Sequence, residues 1–214
     1  LALIFMNLWY RFIVATLSSL LRLFYRFHVE LPVSNYPKAA IIAPNHASFL
    51  DPPVVASVCR EEVHFLARSS LFRKKWWAFF LKRLNTHPLD GSLQDLASLR
   101  SIVDLLRKGN KVVLFPEGGR TETGDLQGLK MGAAMLALRA GVPIIPVFIQ
   151  GTFDAWPRHS FWPKWGMPLY CIFGEPIFPP PSTKHMQRKE IQLMLLKKME
   201  EALKELKNRA DQIR

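Results

Sequence analysis

Residues 39–53 read AAIIAPNHASFLDPP. The first six are an apolar run of strand type, and the polar residues begin where a turn is due. A buried strand leading into a histidine, a serine and an aspartate has two readings. Ser48 and Asp51 stand three apart ahead of an apolar segment, the spacing of a capping box that satisfies the free N–H groups of a first helical turn. Asp51 is equally an N-cap with Pro52 at the first helical position, where a missing N–H costs nothing. In the second reading His46 does chemistry and Asp51 orients it. Five residues apart, the two sit well around a regular helix, which advances about 100° per residue, so they meet only if a turn intervenes.

Outward from this stretch the pattern alternates between strand and helix. DPPVVASVC reads as a short helix, VHFLAR as a strand, SLFRKKWWAFFLKRL as a helix and NTHPLD as a brief extended piece. LQDLASLRSIVDLLRKGN is an amphipathic helix with a Gly-Asn stop, KVVLF a buried strand, and GLKMGAAMLALRAG a helix with a glycine stop. VPIIPVFI and MPLYCIFGEPI are the last strands, and PIFPPPS links them to a final helix striped by Ile191, Leu195, Met199, Leu203 and Leu206. The order predicts a single α/β domain over residues 28–214, with a largely parallel, buried sheet flanked by helices. Residues 1–27 form an apolar N-terminal helix, expected to be membrane-associated.

That helix is interrupted by Arg11 at its centre and followed by Arg22 and Arg26. A spanning helix needs about 20 apolar residues and pays a few kcal/mol for a central arginine. A helix lying in the interface, or packed on the domain with its arginines at the headgroups, fits better. A signal-peptide core is disfavoured because no small-residue cleavage site follows.

The chain has 214 residues, enough for one sizeable core, and a net charge of +12, which favours a partner rich in phosphate or carboxylate. Cys59 and Cys171 are too few for a disulfide scaffold and have no neighbours at zinc-ligand spacing, so both are read as small core residues in a reducing compartment, with no structural metal. FRKKWWAFFLKR interleaves Arg73, Lys74, Lys75, Lys82 and Arg83 with Trp76, Trp77, Phe79 and Phe80. Rings at headgroup level beside cations suit an anionic membrane surface, and a core-packed amphipathic helix explains the same aromatics. WPRHSFWPKWG is a second stretch of this kind. Nucleic acid is a weak alternative, since no recognised binding module accompanies these residues.

The second polar cluster, EGGRTETGD, follows the strand KVVLFP as NHASFLD follows KAAIIAP. In a parallel sheet both loops leave carboxyl ends, where ligands gather. If His46 meets Asp51, the carboxylate fixes the tautomer and leaves the other ring nitrogen free to take a proton from a substrate hydroxyl. That is the base and orienter of a triad, with the attacking oxygen supplied by the substrate. Ser48 lacks a G-x-S-x-G elbow and is the weaker nucleophile candidate. Gly118 and Gly119 allow close backbone approach to a ligand, Arg120 offers a planar fork for a phosphate, and Lys130 adds a second charge. Glu117 either pairs with Arg120 or holds a substrate hydroxyl. The Walker pattern is absent, so nucleotide hydrolysis has no support.

NHASFLD at 45–51, FPEGGR at 115–120 and VPIIPV at 142–147, in that order, resemble the glycerolipid acyltransferase family, whose best-known members are the lysophosphatidic acid acyltransferases. The resemblance covers residues 39–177. It implies His46 as general base, Asp51 as its orienter, and Glu117, Gly118 and Arg120 as part of the site for the acceptor's glycerol phosphate. It also implies acyl-CoA or acyl-carrier protein as co-substrate, with no metal or bound cofactor. A further family block usually carries an arginine where this chain has Gly91, so either Lys82, Arg83 or His87 takes over that phosphate contact, or the acceptor differs. The expected enzyme is membrane-associated at the cytoplasmic face and acylates a lysophospholipid acceptor, first among them 1-acylglycerol-3-phosphate, to give phosphatidic acid. Its rivals are the same chemistry on glycerol 3-phosphate or another lysophospholipid, and a non-catalytic protein that binds anionic lipid.

Overall fold

The computed structural model describes residues 8–31, 36–59, 61–89, 96–180 and 187–213. Helix α1 (Leu8–Phe24) leads into strand β1 (Arg26–Glu30), followed by β2 (Ala40–Pro44), α2 (Asp51–Val58) and β3 (Val63–Arg68). A 3-10 turn at Ser69–Phe72 precedes α3 (Lys75–Arg83) and β4 (Thr86–Leu89). Then come α4 (Leu96–Arg107), β5 (Lys111–Val113), α5 (Gly132–Ala140), β6 (Ile144–Gln150), the short α6 (Thr152–Ala155), β7 (Pro168–Phe173) and the long α7 (Arg188–Ile213).

The seven strands form one sheet in the order β1-β7-β6-β2-β5-β3-β4. Five of its ladders are parallel, and only β6 against β7 is antiparallel. The expected α/β domain with a largely parallel sheet is therefore what forms. After β6 the chain runs through α6 and a loop and returns beside β6 in the opposite direction as β7. Gly151 opens this return with φ 86°, and a Cβ there would stand 2.1 Å from the Pro168 carbonyl oxygen, so backbone passes where a side chain would be.

Strands β2 and β6 are buried almost throughout, as continuous apolar runs covered on both faces must be. One face packs against α4, α5 and α7 through residues such as Leu106, Ala137 and Met199. Ile191, Leu195, Met199 and Leu203 of the expected α7 stripe are buried there, and Leu206 is buried beside Phe148 and Ile172. The other face carries α1 and α2 through Tyr10, Leu21, Val54 and Val55. Cys171 is buried, Cys59 is half-buried, and both are free thiols.

One boundary changes. The N-terminal helix ends at Phe24, and Arg26 and Phe27, read as its last residues, open β1. The apolar run hides this boundary because β1 is an edge strand with no clean alternation of burial, held instead by backbone pairing to β7. NTHPLD is extended as expected and supplies β4, which pairs in parallel with β3. Among the described residues no helix is long and apolar enough to cross a membrane. Helix α1 lies along the domain, with Tyr10 and Leu21 buried and the Tyr10 hydroxyl accepting a hydrogen bond from the Val63 N–H at 3.2 Å.

Candidate active site

The carboxyl ends of β2, β5 and β6 stand side by side, so the loops that follow β2 and β5 open on one edge. Asn45 ties this edge together. Where β2 stops pairing, its side chain continues the ladder: Nδ2 donates to the Ile149 carbonyl at 3.0 Å, and Oδ1 accepts from the Ile149 N–H at 2.7 Å. The chain then leaves the sheet with His46.

Asp51 is the first helical residue of α2, and the N-cap position is Leu50, which makes no side-chain cap bond. Ser48 is thus not the N-cap, although the Ser48 N–H does reach Asp51 Oδ2 as a capping box requires. Prolines at 52 and 53 have no N–H to satisfy, so the carboxylate is not drawn onto the helix end and turns back over the loop. Its Oδ2 receives the Ala47 N–H and the Ser48 N–H at 2.7 Å each and lies 2.8 Å from His46 Nδ1. An ionised carboxylate only accepts, so Nδ1 carries the proton and Nε2 is left as the basic nitrogen. Asp51 is wholly buried while the His46 side chain keeps 18% of its surface. The imidazole stacks on Phe115, with ring centroids 4.0 Å apart.

Ser48 is engaged elsewhere. Its Oγ donates to the Trp156 carbonyl at 2.6 Å and accepts from the Leu50 N–H at 3.1 Å. The hydroxyl holds the loop.

The second loop closes on the first through Glu117. Its Oε1 accepts the His46 N–H at 3.1 Å, and the Thr121 N–H donates to the His46 carbonyl at 2.9 Å. Glu117 therefore takes the His46 backbone, where pairing with Arg120 was one expectation. Burial pushes its carboxyl up to about 7, opposed by the N–H bonds from His46 and Gln127. Glu117 Oε2 and Asp51 Oδ1 are buried without a hydrogen-bond partner.

Arg120 stands over the Phe49 ring, its guanidinium carbon 3.6 Å from the centroid, and its buried Nη1 has no hydrogen-bond partner. Burial, with Arg158 nearby, holds its pKa below the ordinary value. Gly118 has φ 73°, and a Cβ there would fall 2.6 Å from Lys130 Nζ, so the lysine side chain crosses the space beside the glycine. A cation held over a ring with an unused, buried donor is suited to an anionic oxygen.

Other expected residues lie elsewhere. Helix α3 carries Lys82 and Arg83 back toward the amino ends of the strands, and Arg83 stacks over the rings of Trp9 and Phe79. His87 Nε2 meets His64 Nδ1 at 3.0 Å, and burial lowers the pKa of both. Gly91 and the Trp77 side chain lie outside the described residues. Arg11, Arg73, Lys74, Lys75 and Trp76 are exposed.

Arg68, overlooked in the sequence, does reach the site: its Nη2 donates to the Gly118 carbonyl at 2.8 Å. The available signal was its place as the last residue of a strand, at the edge where ligands gather. Phe49 and Phe115 were likewise passed over, since an aromatic residue in a loop carries no spacing signal.

Comparison with known proteins agrees with this geometry. A family model described as Acyltransferase matches residues 26–150, more than half the chain, from β1 to the end of β6. The 1-acyl-sn-glycerol-3-phosphate acyltransferase of Bacillus subtilis (strain 168) is 29% identical over 174 residues, covering 81% of this chain and 83% of the relative. The chloroplastic 1-acyl-sn-glycerol-3-phosphate acyltransferase LPAT1 of Arabidopsis thaliana is 30% identical over 143 residues, 64% of this chain, which spans only 39% of that relative. The crystal structure of the 1-acyl-sn-glycerophosphate (LPA) acyltransferase from Thermotoga maritima superposes with a TM-score of 0.66 at 22% identity, covering 92% of this chain and 82% of that one, a likeness of fold. With the matched segment enclosing both loops of the site, the chain belongs to the acyltransferase family and is an enzyme of acyl transfer.

Proposed function

We propose that the chain moves a fatty acyl group from an acyl thioester, acyl-CoA or acyl-carrier protein, to the free hydroxyl of 1-acylglycerol-3-phosphate, giving phosphatidic acid in phospholipid biosynthesis. The observation that carries this reading is the 2.8 Å contact between His46 Nδ1 and Asp51 Oδ2, which leaves Nε2 as the base. His46 takes the proton of the acceptor hydroxyl, and that oxygen forms its bond to the thioester carbonyl carbon. The tetrahedral intermediate collapses, the carbon–sulfur bond breaks, and the departing thiolate takes the proton back from the imidazolium. No acyl-enzyme forms. The thioester is itself the activated donor, so the step calls for no metal or bound cofactor. Arg120 holds the acceptor phosphate, with Lys130 and Arg68 adding charge, while Glu117, Gly118 and Gly119 shape the loop.

The acceptor is supported by the names of the relatives from Bacillus subtilis and Arabidopsis thaliana. Glycerol 3-phosphate or another lysophospholipid is the second reading for the acceptor, kept by Gly91. A membrane lipid as substrate fits a membrane-associated enzyme at the cytoplasmic face. Exposed Leu8, Trp9, Phe12 and Leu23 on α1, and Trp76 and Phe79 on α3, with Arg11, Arg73, Lys74 and Lys75 among them, are the side turned to lipid.

The test is thioester consumption by the purified protein with a panel of acceptors and both donors in parallel, using His46→Ala as control. Acceptor-dependent turnover that vanishes in the variant supports the reading and names the donor. Liposome binding without turnover on any acceptor would instead favour a non-catalytic lipid-binding protein.

A further inference from the structure

The connection from α6 to β7 runs over residues 157–166, PRHSFWPKWG, and its large rings face outward: Phe161 is 83% exposed, Trp162 74% and Trp165 59%. An exposed cluster of this size is a recognition surface or a liability. Its backbone is well tied. Trp156 Nε1 donates to the Ser160 carbonyl at 3.1 Å, Ser160 Oγ donates to the Trp162 carbonyl at 2.7 Å, and the Lys164 N–H donates to the Ala155 carbonyl at 2.7 Å. The rings are held out by design of the loop rather than left there by slack.

Two further contacts give the loop its place. On one side it joins α1: the Gly166 N–H donates to the Phe24 carbonyl at 2.8 Å, and Trp165 packs on Phe24 with centroids 4.8 Å apart. The exposed Leu20, Leu23 and Phe24 of α1 thus continue the same apolar surface. On the other side its base belongs to the site. Ser48 bridges to Pro157, Trp156 lies 5.3 Å from Phe49 between ring centroids, and Phe49 is the ring that carries Arg120. Charge identifies the partner. Residues 8–29 and 155–174 contain no Asp or Glu, while Arg22, Arg26, Arg158 and Lys164 lie among them. Of these, Arg158 pairs with exposed Glu122 at 3.4 Å. Tryptophan rings beside cations, on two segments that themselves carry no acidic residue, match the headgroup layer of an anionic bilayer.

We propose that residues 157–166 form a pre-shaped aromatic wedge that seats in an anionic phospholipid bilayer beside the C-terminal end of α1, bringing Arg120 and His46 to the lipid surface. The purpose of the wedge rests on the lipid acceptor proposed above; the vesicle-binding arm of its test does not. Two ring contacts, Trp156 on Phe49 and Phe49 under Arg120, link the base of the element that touches lipid to the guanidinium assigned to the phosphate. An acceptor is thereby met in the membrane without first dissolving.

The full chain is compared with the Phe161→Ser/Trp162→Ser double variant and with the ring-preserving swap Phe161→Trp/Trp162→Phe. Co-sedimentation is measured with vesicles of phosphatidylglycerol and phosphatidylcholine, and turnover is measured with acceptor embedded in those vesicles and with a short-chain acceptor kept monomeric. The serine pair is expected to bind vesicles at least about tenfold more weakly and to lose vesicle-based turnover in step, keeping turnover on the monomeric acceptor, while the swap behaves as wild type. Both sites are well exposed, so folding is retained, and circular dichroism checks it. Unchanged vesicle binding by the serine pair overturns the proposal. So does loss of turnover on the monomeric acceptor by a folded serine pair. Wild-type protein that ignores the vesicles but retains a single-stranded RNA probe overturns it in favour of nucleic acid. Absent turnover on every acceptor, with vesicle binding lost only in the serine pair, leaves the wedge standing and removes the proposed reaction instead.

Discussion

His46 Nδ1 and Asp51 Oδ2 stand 2.8 Å apart, and the same Asp51 oxygen also holds the backbone N–H groups of Ala47 and Ser48. One buried atom therefore both orients the imidazole and builds the turn that presents it. Substitutions at the two ends of the pair should consequently fail in different ways.

His46→Ala removes only the base. Turnover should fall roughly hundredfold to ten-thousandfold with the melting temperature little changed. Asp51→Ala also strips the acceptor from two buried N–H groups, each costing about 1–3 kcal/mol when left unpaired. Steady-state rates and thermal melts of both variants check this; a melting temperature for Asp51→Ala equal to that of His46→Ala would contradict it.

Arg120→Ala should act on binding. A lost hydrogen bond to a charged group is worth about 1.5–3 kcal/mol, so KM for a phosphorylated acceptor should rise about tenfold or more. Its kcat should change far less, and the donor KM should stay put. Kinetics with acceptor and donor varied in turn separate the two, and an unmoved acceptor KM removes Arg120 from the phosphate site.

Glu117 gives stability a pH dependence with a definite sign. Its carboxyl is raised to about 7 in the folded protein, above its unfolded value, so the folded state holds the proton more tightly. The stability it contributes is full below the unfolded pKa and is lost as pH rises through about 7. Glu117→Gln keeps an oxygen to accept the His46 N–H and has nothing to ionise. Its melting temperature should fall less than that of wild type between about pH 5 and pH 8, and parallel profiles would refute the assignment.

Asn45 is a structural clamp with no part in proton transfer. Asn45→Ala leaves the Ile149 N–H and carbonyl unpaired in a buried place, which should cost about 2–4 kcal/mol by urea denaturation. Loss of activity without loss of stability would point to direct contact with substrate instead.

Much of this site stood in plain view along the chain. A run such as AAIIAP ahead of NHASFLD announces a buried strand ending in polar residues, and KVVLFP ahead of EGGR does the same. Two such endings in a parallel sheet must share an edge if their strands are near one another. By contrast, β1 was hidden inside an apolar segment, because an edge strand held by backbone pairing leaves no periodic trace. Lys82 and Arg83 were expected at the phosphate; they close α3 just before β4 begins, with Arg83 over the Phe79 ring, a placement that depends on the path of the chain and not on their spacing from the loops.

Residue order alone determined the strand and helix alternation, the largely parallel sheet and the two loops from which chemistry had to come. Those properties follow from local pattern and the geometry of crossovers, which sequence carries directly. Tertiary structure decided what Asp51 does. A carboxylate at a helix start can cap the helix or turn away, and its choice depends on which N–H groups are left unpaired around it. Here two prolines quieten the helix end, the Ala47–Ser48 backbone supplies donors, and Glu117 from another loop holds the His46 N–H. Contacts between segments distant in the chain settle that balance, because hydrogen-bond partners are assigned in space and not along the sequence.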